Sequence, residues 1–185
     1  MKKSILSISF IFLLASCTTT HMAKLDKVPN RISQPDKATL VIIRNILFDD
    51  GYVFWIYLDR NLIGETMEKT YFVTSVTPGI HYLVVVAENK SVARFDFKAG
   101  KTYFLAEWGM IGVWRSRTAG LYPMTPDDAA KAMKKCSYLE YDPKTGQELI
   151  DPKLYQQAID EYHKDIKKYP DVFKDILKYD GVEMK

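Results

Sequence analysis

The side chains best suited to chemistry near neutral pH are three histidines, His21, His81 and His163. An imidazole changes charge in that range and binds metals as the neutral base. The three lie far apart, and neither Cys17 nor Cys136 stands at the spacing from a histidine that a zinc site uses. The expectation is no metal and no cofactor. His81 follows Pro78-Gly79, so it is expected to point out of a strand or to bond a backbone group. His163 sits in the charged run Asp160-Glu161-Tyr162-His163-Lys164-Asp165, which reads as a solvated helix face. Nucleophilic catalysis fares no better: there is no Gly-x-Ser-x-Gly elbow, and Ser75 and Ser91 have no evident base. Gly109-Met110-Ile111-Gly112 is too short and too apolar to cradle a phosphate. No catalytic residue is assigned. What remains is recognition, because Trp108, Trp114, Arg115 and Arg117 gather around Gly109 and Gly112. Aromatics beside arginines stack sugars or anchor protein contacts. The competing reading is that both tryptophans cap the end of a sandwich, since large aromatics are mostly buried.

The N-terminus carries a different signal. Lys2 and Lys3 precede an apolar run, Ile5 to Leu14, and small residues follow at Ala15-Ser16. A charged start, a short apolar stretch and a small-residue cut describe a secretory signal peptide over residues 1–16. The run is shorter than the roughly 20 apolar residues a spanning helix needs. Leu14-Ala15-Ser16-Cys17 resembles the lipobox of bacterial lipoproteins. That resemblance implies cleavage before Cys17 and a thioether-linked diacylglycerol on its sulfur, with fatty acyl chains such as palmitate holding the mature chain to a membrane. Thr18, rather than Asp, follows the cysteine. In the lipoprotein pattern this favours export to the outer membrane, with the domain facing the periplasm.

Composition narrows the partners. Removing residues 1–16 takes away two lysines and no acids, so 24 basic and 23 acidic side chains remain and the formal charge falls from +3 to +1. A nearly neutral chain is a poor nucleic-acid binder. With Cys17 consumed, Cys136 is alone and no intramolecular disulfide can form. The expectation for Cys136 is a small, half-buried hydrophobe.

The elements that must position these residues follow from periodicity. Residues 17–36 are polar, hold Pro29 and Pro35, and read as a flexible tether. From Ala38 to Trp108 short apolar and alternating runs are separated by turns such as Asp59-Arg60-Asn61, Thr77-Pro78-Gly79 and Ala99-Gly100. About seven strands at such spacing predict a mostly β domain, an antiparallel β-sandwich over 37–118. Residues 119–185 read as a helical C-terminal extension. Thr125-Pro126-Asp127-Asp128 and Asp151-Pro152 are helix starts. Tyr155, Ile159, Tyr162, Ile166, Tyr169, Phe173 and Ile176 form one apolar seam, broken at Pro170. The seam suits packing on the β-domain or a partner interface.

Ala38 to Trp108 also resembles an uncharacterised bacterial lipoprotein family, a domain of unknown function. The resemblance rests on Tyr57-Leu58-Asp59-Arg60-Asn61-Leu62-Ile63-Gly64-Glu65, Tyr71-Phe72, Pro78-Gly79-Ile80-His81 and Ala99-Gly100-Lys101-Thr102-Tyr103-Phe104. The same order is similar to PEGA domains, small β modules of bacterial cell surfaces. The usual Asp-Gly hairpin is Asp59-Arg60-Asn61 here, which points to a longer or Asn-based turn. The resemblance implies a fold and no catalytic residues. The functional expectation is therefore a non-enzymatic envelope lipoprotein presenting an interaction domain to a partner protein or to cell-wall peptidoglycan. A cell-envelope hydrolase and a structural tether of an envelope or secretion assembly are the alternatives.

Overall fold

Ala38, Leu40 and Ile42 alternate with Val41 and Ile43, and all five are buried. A strand apolar on both faces must be covered on both sides, and that requirement organises the molecule. The computed structural model describes residues 21–25, 34–46, 52–111, 117–142, 145 and 148–184, with side chains omitted for 109–111 and 117–119. It is mostly β, with two sheets and a C-terminal helical region.

The strands, in chain order, are β1 (Met22–Leu25), β2 (Ala38–Arg44), β3 (Phe54–Leu58), β4 (Asn61–Thr66), β5 (Thr70–Val76), β6 (Gly79–Val86), β7 (Lys90–Phe97), β8 (Lys101–Ile111), β9 (Arg117–Pro123), β10 (Ser137–Tyr141) and β11 (Val182–Glu183). The helices are α1 (Pro126–Met133), α2 (Pro152–Lys168) and α3 (Pro170–Lys178). A seven-stranded sheet runs β1-β10-β5-β2-β8-β11, with β9 also paired to β8, and a four-stranded sheet runs β4-β3-β6-β7. One core cluster draws on both, including Leu40, Ile42, Phe72 and Leu105 from the first and Phe54, Ile56, Leu83 and Phe95 from the second. The sheets meet closely at Gly64, where a Cβ would stand 2.7 Å from the Phe72 ring.

Helices cover both outer faces. Ala129 and Ala132 of α1 pack with Val41, Ile43 and Phe104 of the larger sheet. Ala158, Ile159 and Tyr162 of α2 pack with Tyr57, Val84 and Val92 of the smaller one. Full burial of a large side chain such as Ile43, Phe104 or Ile159 contributes about 1.5–3 kcal/mol, and an alanine methyl less. Helix starts follow the sequence: the Asp128 amide donates to Thr125 Oγ1 at 3.2 Å, and the Lys153 and Leu154 amides donate to Asp151 at 3.0 and 2.9 Å. The seam lies against the sheets, Pro170 separates α2 from α3 as the missing donor requires, and Tyr169 at the break is 48% exposed.

The structure departs from the sequence reading in four places. Residues 17–36 were expected as a tether, yet Met22–Leu25 form β1, paired antiparallel with β10. The extension was expected to be helical, yet it supplies β10, β11 and most of β9 to the larger sheet. β10 and β11 pair with strands from much earlier in the chain, so local pattern carried no signal for them. Not every pair is antiparallel: β2–β8 and β5–β10 are parallel. The Asp59 turn is also tighter than expected. Leu58 pairs with Asn61, leaving a two-residue loop with Asp59 in the left-handed region at φ 54°, where Asp is tolerated better than most residues.

Candidate functional site

A cleft of about 420 Å³ lies at one lateral edge of the sandwich, where β7 and β9 come together beneath α2 and α3. Its apolar lining includes Val92, Trp108, Leu121, Phe173 and Ile176. Trp108 is placed by a cross-strand relationship. It pairs with Gly120 across β8 and β9, and a Cβ on Gly120 would sit 2.3 Å from the indole Nε1. Glycine at 120 thus leaves room for the indole to lie over β9. Tyr162, 4% exposed, also lines the cleft. Among the described residues its hydroxyl makes no hydrogen bond of good geometry, and burial pushes its phenol up, opposed by the neighbouring Arg94 backbone.

Charge in the cleft is uneven. Glu161 and Asp165 of α2 and Asp175 of α3 line it opposite Lys90 of β7. The three acids are exposed. Ser91 also borders the cleft, but no histidine does.

The histidines sit elsewhere. His81 Nδ1 lies 2.8 Å from Asp59 Oδ2 and Nε2 lies 3.0 Å from the Thr77 carbonyl oxygen, so both nitrogens are engaged. Asp59 Oδ1 also accepts from the Tyr82 amide at 3.0 Å. This pair braces two turns. His163 is exposed, its Nε2 3.4 Å from the Tyr82 hydroxyl. Neither histidine lines the cleft.

His21 belongs to a further cluster, at the opposite lateral edge. Its Nδ1 is 2.5 Å from Glu65 Oε1 and its Nε2 is 3.4 Å from Glu148 Oε2. The His21 amide donates to Glu65 Oε2 at 3.3 Å, and Tyr57 donates its hydroxyl hydrogen to Glu148 at 3.0 Å. Burial and Glu148 together push the Tyr57 phenol well up. The imidazole stands between the two carboxylates, so they do not converge on one point. Among the described residues no group of three or more His, Cys, Asp or Glu is arranged to hold a metal ion.

A cluster of buried polar side chains lies inside the sandwich. Arg44 ends the inward row Ala38, Leu40, Ile42, and Glu107 continues the inward row Tyr103, Leu105 on the neighbouring strand. Both are buried. Arg44 donates to the Tyr52 and Thr66 carbonyls at 3.0 and 2.9 Å and stacks 3.5 Å above the Phe54 ring. Thr66 donates its hydroxyl to Glu107 Oε2, while Oε1 has no hydrogen-bond partner among the described residues. Burial raises the Glu107 carboxyl to about 7, against the opposing pull of Thr66 and Arg44.

Of the residues singled out from the sequence, Trp108 lines the cleft. Cys17, Trp114 and Arg115 lie outside the described residues, and Arg117 opens β9 with its backbone alone described. Sequence reasoning missed Glu107 and Arg44, although their position on inward rows of apolar strands was a readable signal. It also missed the acidic rim, which looked like ordinary solvated helix surface.

No family model matches the chain. The chain is 25% identical over 133 residues to an uncharacterized protein of Haemophilus influenzae, covering 69% of this chain and 79% of that one. That similarity carries no activity with it.

Proposed function

We propose that this is a non-enzymatic lipoprotein, anchored through Cys17 to the outer membrane and facing the periplasm, whose edge cleft binds an extended polypeptide segment bearing apolar and basic side chains. The observation that carries the binding reading is the composition of the cleft: an apolar lining with Trp108, Leu121 and Phe173, rimmed by Glu161, Asp165 and Asp175 against Lys90. Apolar pockets with a few polar groups are the usual form of a binding site. Rim charges select partners of opposite sign and speed their arrival. The anchor reading is supported by Leu14-Ala15-Ser16-Cys17 and the charged, apolar run before it.

The test uses the full chain purified from membranes. Mass spectrometry of the N-terminal peptide should find an acylated Cys17, and an intact leader would remove the anchor. For the cleft, labelled peptides alternating Leu with Lys or Leu with Glu are titrated while tryptophan fluorescence is followed. The lysine peptide should bind, more weakly in high salt, and a Glu161→Lys, Asp165→Lys double variant should lose it. Binding of both peptides alike, or of neither, overturns the polypeptide reading. Retention on purified sacculi without peptide binding would reassign the cleft to glycan.

A further inference from the structure

We propose that the protein stands on the bilayer on its β1–β4 edge, with phospholipid headgroups as the occupant of that edge and the cleft held at the opposite side. The inference rests on the lipid-anchor reading above and adds an orientation to it. Only Thr18, Thr19 and Thr20 separate Cys17 from His21. Fully extended, that stretch of chain spans at most about 14 Å.

His21 is not a free end. Its imidazole and amide hold Glu65 on β4, its carbonyl accepts from the Asp142 amide at 2.8 Å, and β1 immediately after it pairs with β10. The chain therefore leaves the domain between the two sheets, at the edge shared by β1 and β4, and not from the middle of a face. Both faces are occupied by helices, α1 on one and α2 on the other.

The sheet orders fix what lies opposite. β1 begins the larger sheet and β9 and β11 end it; β4 begins the smaller sheet and β7 ends it. Five strand spacings separate β1 from β11, roughly 24 Å. The cleft, bounded by β7 and β9, lies at that far edge. An anchor with so little slack at the near edge leaves the cleft open to the aqueous side.

The orientation is measured on the lipidated full chain in phospholipid vesicles containing an acceptor-labelled lipid. Exposed Lys24 on β1 and exposed Glu183 on β11 are each replaced by Cys in a Cys136→Ser background and labelled with a donor. Circular dichroism checks that each variant keeps its fold. Energy transfer from position 24 should exceed that from position 183 by at least about twofold, given a separation of roughly 24 Å. A Gly/Ser insert of about ten residues between Thr20 and His21, with a reach of about 16–19 Å, should reduce the difference. Equal transfer from both sites in an acylated protein overturns the orientation alone. An unacylated Cys17 overturns the anchor and the orientation with it.

Discussion

His21 Nδ1 lies 2.5 Å from Oε1 of Glu65, a carboxylate 44 positions later in the chain and 3% exposed. A buried carboxylate left without its partner costs about 1–3 kcal/mol. His21→Ala is therefore expected to lower stability by about that amount and to speed amide hydrogen exchange in β1 and β10, while β2 and β8 stay protected. Unchanged protection in β1 would show that the strand holds without the histidine.

Glu107 sets a pH dependence. Its carboxyl is raised from the ordinary 4.5 to about 7 in the folded chain, so the folded state holds the proton more tightly than the unfolded one. The associated stability is complete below the unfolded value and is lost as pH rises through about 7. The full swing is on the order of 3 kcal/mol. Thermal unfolding should show a midpoint that falls between pH 5 and pH 8 more steeply in the native chain than in Glu107→Gln. Parallel profiles for the two proteins would contradict this.

The indole over Gly120 makes a sharper probe of the cleft. Gly120→Ala places a methyl group 2.3 Å from where Nε1 now sits, so Trp108 must move. Crowding of this kind costs about 1–3 kcal/mol. The variant should show a shifted tryptophan emission and weakened capture of the lysine peptide, with its sheet content retained. Full peptide binding would show that Trp108 does not line the part of the cleft that is used.

Cys136 should be a poor nucleophile. Burial pushes its thiol up to about 11, with Lys69 opposing, and Sγ sits 3.9 Å from the Arg44 carbonyl. At pH 8 its thiolate fraction is about a hundredfold below that of a thiol ionising near 9. Iodoacetamide should alkylate it at least that much more slowly in the folded protein than in denaturant. Equal rates would mean the site is open.

The parts of the molecule that sequence could reveal were those governed by neighbours in the chain. Ala38–Arg44, Phe54–Leu58 and Gly79–Val86 are strands because β-branched and aromatic runs between turn residues have few other outlets. Thr125-Pro126 and Asp151-Pro152 start helices through contacts spanning three residues. The illegible parts depend on distant partners. Met22-Ala23-Lys24-Leu25 has no strand pattern of its own and takes its form from Ser137–Tyr141. The Asp59 turn tightens because His81 and the Tyr82 amide, from another strand, hold its carboxylate. At the candidate site, Trp108 stood out as a residue type. Its seat against Gly120 and the acids across from Lys90 depended on how β7, β9 and α2 come together.

The late partner of β1 has a consequence for assembly. Among the described residues β1 joins the sheet through β10, and β10 through β5. A chain emerging N-terminus first must therefore deliver residues up to Tyr141 before Met22 can take its place. During that interval Met22–Leu25 has no sheet to join. Fastening of His21 to Glu65 waits on the same late arrival, which converts a loosely attached newcomer into a fixed resident.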